Sequence, residues 1–249
     1  MTEAAAQLTR RAERPSLATL WRVETRKMVD TRAGKWLLGL TVLLAIAGTV
    51  LGLIGDDEDV GMALAFLTAG SLASVLLPVV GVLLVTSEWS QRTALLTFVM
   101  VPDRNRVAAA KGLAAVSVAV ALSLLCLVMA LIGAVASGEG ADISLVEIGQ
   151  GVLYQCIVVL IGVALGLALR ISPLAIVAYF AAPTFFALFG VIGETVREVT
   201  EWLDQSGLVA LGELDPTGQE MARVGVTVLV WVVVPAAIGL LRLRNEDVS

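Results

Sequence analysis

The chain has 249 residues, of which 58% are apolar and only 16% charged, with a formal net charge of -5 and no histidine. This composition excludes an ordinary soluble helical domain, whose helices need charge on one face. The missing histidine removes His-based metal sites, His-activated Ser or Cys nucleophiles and His proton relays. Because the basic residues are dispersed among loops without interleaved aromatics, nucleic acid is not an expected partner either.

Residues 1–15 read as a disordered tail, and 16–35 as an amphipathic interfacial helix. Ser16 follows Pro15 and suits the N-cap, while Leu17, Leu20, Trp21 and Met28 recur at helical spacing and Arg22, Arg26, Lys27 and Arg32 fall mostly on other faces. Such a helix serves as a basic anchor on the membrane surface or, beyond that, as a contact for a cytoplasmic partner. Six apolar runs follow near 36–55, 60–86, 107–136, 148–169, 172–193 and 224–241. Each is close to the about 20 helical residues that cross a hydrocarbon core of about 30 Å. The expected fold is therefore all-α, a six-helix transmembrane domain over 36–242 ending in a short tail at 243–249. The long polar stretch before the first run and the length of that run argue against a cleaved signal. Cys126 and Cys156 lie inside the third and fourth runs and read as small apolar residues. Pro78, Pro183 and Pro235 fall inside the second, fifth and sixth spans, where they either kink the helices or simply pack, and Gly48-x-x-x-Gly52 and Gly162-x-x-x-Gly166 are expected to pack helices closely.

Fifteen of the 17 Lys and Arg residues fall on one set of alternating segments: eight before the first span, Arg92, Arg104, Arg106 and Lys111 around the second loop, Arg170 in the fourth, and Arg242 and Arg244 after the sixth. Only Arg197 and Arg223 lie on the other set. Basic residues in short loops stay inside, so both termini are expected in the cytoplasm, with Asp56 to Asp59 and the segment 194–223 outside. Lys111, just inside the third span, is expected to snorkel back to the interface. No Asp or Glu falls within the six runs, which disfavours coupling to protons or sodium. Gly34-Lys35 lacks the rest of a phosphate-cradling loop, with Trp36 in place of Ser or Thr and Val29 in place of the first glycine. The chain is thus expected to bind no cofactor or metal and to have no ATPase activity of its own; active transport would need energy from another polypeptide.

The second loop, 87–106, should form a short helix broken by Pro102. Trp89, Leu95, Leu96, Phe98, Val99 and Met100 are too apolar for solvent and too few for a span, so they should be buried against the bundle or a partner. Glu88 reads equally as an ion pair that fixes this loop within the chain or as a contact for a partner.

The stretch Thr-Ser-Glu-Trp-Ser-Gln-Arg-Thr at 86–93, followed by Pro102-Asp-Arg104 and Lys111, resembles the cytoplasmic loop in membrane subunits of type 2 ATP-binding cassette exporters. Leu20-Trp-Arg-Val-Glu-Thr-Arg-Lys27 with Thr31-Arg32 is similar to that family's amino-terminal interfacial helix, and the six-span layout extends the resemblance over nearly the whole chain. The resemblance implies a multi-pass protein of a bacterial plasma membrane, working as two copies or with a homologous permease, in contact with membrane lipid and bound to two ABC ATPase subunits that hold ATP and Mg. It also makes Glu88, Trp89, Arg92, Thr93, Phe98, Pro102 and Arg104 candidate ATPase-coupling residues, with Trp21, Glu24 and Lys27 in support.

In the segment 194–223, Val196, Val199, Trp202 and Leu203 suit an interfacial helix and Leu208 to Leu211 a second apolar patch. The segment resembles the family's re-entrant outer helices, and either caps an exit or anchors the last two spans. Phe180, Phe185, Phe186 and Phe189 are candidates for an apolar substrate pathway or for lipid-facing positions. No polar constellation in the spans selects a substrate. The expected function is that of a permease subunit exporting a hydrophobic or amphipathic compound; the alternatives are a non-transporting membrane anchor that recruits a cytoplasmic partner, and a self-contained channel or carrier, which the uncharged spans disfavour. The orientation predicts that cysteines introduced as Asp57→Cys and Ser206→Cys react with an impermeant maleimide in intact cells, and Ser90→Cys only after permeabilisation; labelling of Ser90→Cys in intact cells would reverse it.

Overall fold

The computed structural model describes residues 15–54, 61–90, 103–138, 142–212 and 216–245. Within them every regular element is helical, and six helices are long and apolar enough to cross a membrane: Arg32–Leu53, Gly61–Ser90, Arg104–Ser137, Leu145–Leu169, Ser172–Gly190 and Gly218–Arg244. The tail 1–14 and most of the second loop, 91–102, lie outside the described residues.

Helix α1 (Leu17–Asp30) starts at Ser16, whose hydroxyl accepts from the Thr19 amide at 3.1 Å. It ends earlier than the pattern predicts. Thr31 adopts an extended backbone (φ -70, ψ 147) and its hydroxyl caps the next helix, α2 (Arg32–Leu53), through the Gly34 amide at 3.1 Å. Helix α1 and the first span thus meet at a single-residue corner. Gly34 is what lets it close, since a Cβ there would overlap the Met28 carbonyl oxygen.

The second span consists of α3 (Gly61–Ala73) and α4 (Leu77–Ser90), joined by a turn at 74–76. Pro78 sits just after the break and has no amide to donate back to Ser74, which is the physical reason for the kink. Because α4 runs to Ser90, Glu88 and Trp89 stand in its last turn and not in a loop. Helix α5 (Arg104–Ser137) begins at Asp103, whose carboxylate accepts from the Arg106 amide at 3.2 Å, and ends at Gly138 in the left-handed region (φ 80). Helix α6 (Leu145–Leu169) opens with a capping box between Ser144 and Glu147. Helix α7 (Ser172–Gly190) carries Pro183 without interruption. After α8 (Glu194–Leu203) and a 3-10 segment (Gln205–Gly212), the last span comprises α9 (Gly218–Val228), a π turn (Leu229–Val233) and α10 (Val234–Asn245). Pro235 would deny Trp231 its usual hydrogen bond, and the π turn lies where the ladder must adjust.

The second and fourth spans form the centre: 61% and 67% of their most apolar stretches are buried, against 11% for the fifth and 17% for the sixth. Close approach by small residues holds this centre together. A Cβ on Gly48 or Gly52 would come within 2.7 or 2.5 Å of the Ala69 or Ala65 Cα of α3. One on Gly162 would strike the Pro78 carbonyl of α4. Both glycine pairs are thus used within the chain, as packing seams. Gly162→Val should therefore destabilise the bundle by about 1–3 kcal/mol or more. Gly39→Ala, where an added Cβ meets nothing within 4 Å, should be neutral or stabilising by up to about 1 kcal/mol; apparent melting temperatures in detergent distinguish the two.

Candidate functional site

The inward stripe of α1 consists of the buried Glu24 and Met28 and the partly buried Trp21, so a carboxylate sits in the middle of its apolar face. Its partners come from two spans. Glu24 Oε1 accepts from Lys27 Nζ at 2.7 Å and Oε2 from Lys111 Nζ of α5 at 2.7 Å. Glu88 Oε1, in the last turn of α4, lies 2.6 Å from Lys27 Nζ and 3.0 Å from Lys111 Nζ. The result is a closed ring of two carboxylates and two ammonium groups that joins three helices. Lys111 also donates to the Leu84 carbonyl at 3.2 Å, giving each of its three donors an acceptor.

Burial sets the character of this ring. Glu24 and Lys111 are each 4% exposed and Glu88 7%, so none of these charges retains the hydration that would otherwise stabilise it. Lys27 is the outward member, its side chain 40% exposed. Partial burial works to lower its pKa, but its hydrogen bonds to Glu24 and Glu88 and their negative charges outweigh this and hold it above its ordinary value of 10.5. A lysine raised in this way contributes its full stabilisation below the unfolded value, and loses it only as pH rises through the folded one. The ring therefore keeps Lys27 charged throughout the physiological range.

Further contacts extend the joint. Trp21 Nε1 donates to Ser117 Oγ of α5 at 2.9 Å, and Arg106 Nη2 to the Pro15 carbonyl at 3.0 Å. Arg104 donates to the Leu243 carbonyl of α10, and Arg242 Nη1 to the Ala168 carbonyl of α6 at 2.8 Å. Thr86 and Ser172 share a hydroxyl contact of 2.7 Å between α4 and α7. The Arg170 guanidinium lies 4.6 Å from the centre of the Trp89 ring. Arg170 also caps α6 in the left-handed conformation (φ 58, ψ 2), a geometry that favours glycine. One end of the bundle, the one rich in basic residues, is thus laced together across all of these helices.

Of the sequence-predicted residues, Trp21, Glu24, Lys27, Glu88, Trp89 and Arg104 come together here, whereas Arg92, Thr93, Phe98 and Pro102 lie outside the described residues. Lys111 departs from expectation: its ammonium turns inward to two carboxylates, because α1 covers the route by which it would snorkel. The signal for the ring was present in Glu24, four residues before Met28 and three after Trp21 on the apolar stripe. Ser117 and Arg170 had no such signal. Phe180, Phe185 and Phe189 are 45%, 55% and 42% exposed on the outside of the chain, and Phe186 packs edge-on against Trp231 at 6.1 Å. Arg197 and Arg223, of the opposite segments, pair with Glu201 at 3.7 and 3.6 Å.

No protein-family model matches the chain, and no curated protein matches it. The ring yields a graded expectation. Lys111→Met leaves two buried carboxylates facing one half-exposed lysine and should cost about 3–5 kcal/mol, whereas Lys27→Met leaves the same charge imbalance on the outward side, where water can reach the carboxylates, and should cost less than Lys111→Met. Combining Lys111→Met with Glu88→Gln removes one charge of each sign and should recover part of the loss; melting temperatures of the three variants in detergent provide the check.

Proposed function

We propose that the chain is the membrane subunit of an ATP-driven exporter of the type 2 ATP-binding cassette class, moving a hydrophobic or amphipathic compound such as a drug, antibiotic or lipid outward across the plasma membrane. The ion ring carries this reading. Segment 91–102 leads from α4 into α5, and the ring couples both of those helices to the interfacial helix α1. A domain pressing on that segment would move α1, α4 and α5 as one body, and the contacts to α6, α7 and α10 would carry the displacement onward. In this reading Glu88 and Glu24 act as internal links. The surface that meets the ATPase is formed by segment 91–102 and the outward side of α1, where Arg22 and Arg26 are exposed, with Arg32 exposed at the start of α2.

The motor is a separate pair of ATPase subunits holding ATP and Mg, since the sequence offers no phosphate-binding loop. The working unit contains a second permease, identical or homologous. The exposed apolar faces of α7 and α10, with Val177, Leu188, Ile238 and Leu241, suit lipid or that second copy.

The test is co-purification with an ATPase encoded beside the chain, with ATP hydrolysis and export measured for the parent, for Glu88→Ala and for a Trp89→Ala, Phe98→Ala double variant. The expected result is a stable complex for the parent, with hydrolysis falling toward that of the ATPase alone in variants that still elute as folded protein. Folded variants that bind, stimulate and export like the parent would refute the coupling assignment. Recruitment of a partner without any ATP-dependent export would favour the anchor reading.

A further inference from the structure

Away from the ring, a cavity of about 280 Å³ lies among α3, α6, α7 and the 3-10 segment. Its apolar wall includes Phe66, Leu67, Val158 and Leu208. Set into that wall are the polar side chains of Gln155, Gln205, Tyr154 and Tyr179, and no charged residue lines it. No polar constellation is visible along the spans in sequence, because these groups come from three separate elements and meet only on folding.

Two of them are incompletely satisfied. Gln155 is 1% exposed and its Oε1 has no hydrogen-bond partner among the described residues, while its Nε2 has only the soft Cys126 sulfur at 4.0 Å. The buried Gln205 Nε2, from the 3-10 segment, is likewise without an acceptor among the described residues. Tyr154 is engaged, its hydroxyl 3.1 Å from Ser74 Oγ. An acceptor on α6 and a donor on the 3-10 segment thus border one cavity. A buried amide left unpaired is costly, and more so at membrane depth, where no bulk water compensates it. Gln155 stands about 15 Å along α6 from its first residue, well inside the span.

We infer that this cavity binds the head of an uncharged amphipathic molecule bearing a hydroxyl or a primary amide. Such a group donates to Gln155 Oε1 and accepts from Gln205 Nε2, and its first carbons lie against Phe66, Val158 and Leu208. A carboxylate or ammonium would enter without a counter-charge, which disfavours ionic ligands. The space far exceeds the room one water needs, and its apolar wall offers water few partners. It approaches the lower end of small-molecule sites, about 300 Å³. Ser71 and Val209 border the cavity and are exposed, so they mark its mouth. This inference does not depend on the transport reading.

The experiment uses the full chain in phosphatidylcholine nanodiscs, carrying Ser71→Cys in a Cys156→Ala background, and follows the rate of maleimide labelling. Octanol, octanamide and monooctanoylglycerol are compared with methyl octanoate, which lacks the donor, and with octanoate anion. Protection by the donor-bearing neutral probes, absent for the other two and absent at a Ser206→Cys control, is the expected result. Gln155→Leu should weaken that protection about tenfold, the equivalent of roughly 1.4 kcal/mol, while melting no lower than the parent because it removes an unpaired amide. Gln155→Asn, which keeps the amide, should retain part of the binding. Equal protection by octanol and methyl octanoate, failure of all three neutral probes, or undiminished binding by folded Gln155→Leu would each overturn the assignment.

Discussion

Two carboxylates and two ammonium groups, three of them almost wholly removed from solvent, hold the basic end of this bundle. Burying any one of these ions alone would be prohibitive, and removing any one leaves a net charge; the ring is stabilised by its neutrality and by having its donors satisfied. That all-or-none character gives α1 its defined seat. An amphipathic helix on a membrane surface can slide and rotate, because hydrophobic burial is non-directional. A helix whose buried face presents Glu24 to Lys111 has one register. The corner at Thr31, closed by Gly34, and the Trp21 to Ser117 hydrogen bond are both consistent with that register.

The centre of the bundle depends on a different principle. Where α4 meets α6 and α2 meets α3, glycines bring backbones to distances that no side chain would allow. Association of helices in lipid has little hydrophobic driving force, so packing of this kind supplies much of the specificity. The fifth and sixth spans remain largely exposed to their surroundings, although Gly239 of α10 brings the sixth against the Leu167 backbone of α6 in a seam of the same kind. The chain therefore combines a tightly seamed core with two more peripheral spans, attached at the basic end by directional contacts that include Thr86 to Ser172, Arg104 to Leu243 and Arg242 to Ala168.

Much of this was legible in the residues. Runs of apolar side chains of spanning length locate the six helices to within a few positions, because length and hydropathy are local properties. Ser16 as a cap and Pro78 as a break are local too, and both occur where the pattern places them. The ring was only half legible. Glu24 interrupts an apolar stripe and so advertises a buried partner, but nothing near it in sequence identifies Lys111, 87 positions away. Lys111 by itself fits a snorkelling lysine equally well, and only the docking of α1 decides otherwise. The cavity was not legible at all, since Gln155, Tyr154 and Gln205 are unremarkable singly and acquire meaning from being brought together.

The left-handed Arg170 places the joint between the fourth and fifth spans under conformational tension. A glycine there would rest comfortably, yet would have no guanidinium to lie over Trp89. The strained backbone is thus sustained by the same residue whose side chain reaches the end of α4. Any movement that withdraws Trp89 removes the contact that offsets this strain, and leaves the α6 to α7 joint free to relax. The joint is in that sense a latch sprung against the position of its neighbour, and because Glu88 precedes Trp89 in the last turn of α4, a shift of that helix reaches the latch and the ion ring together.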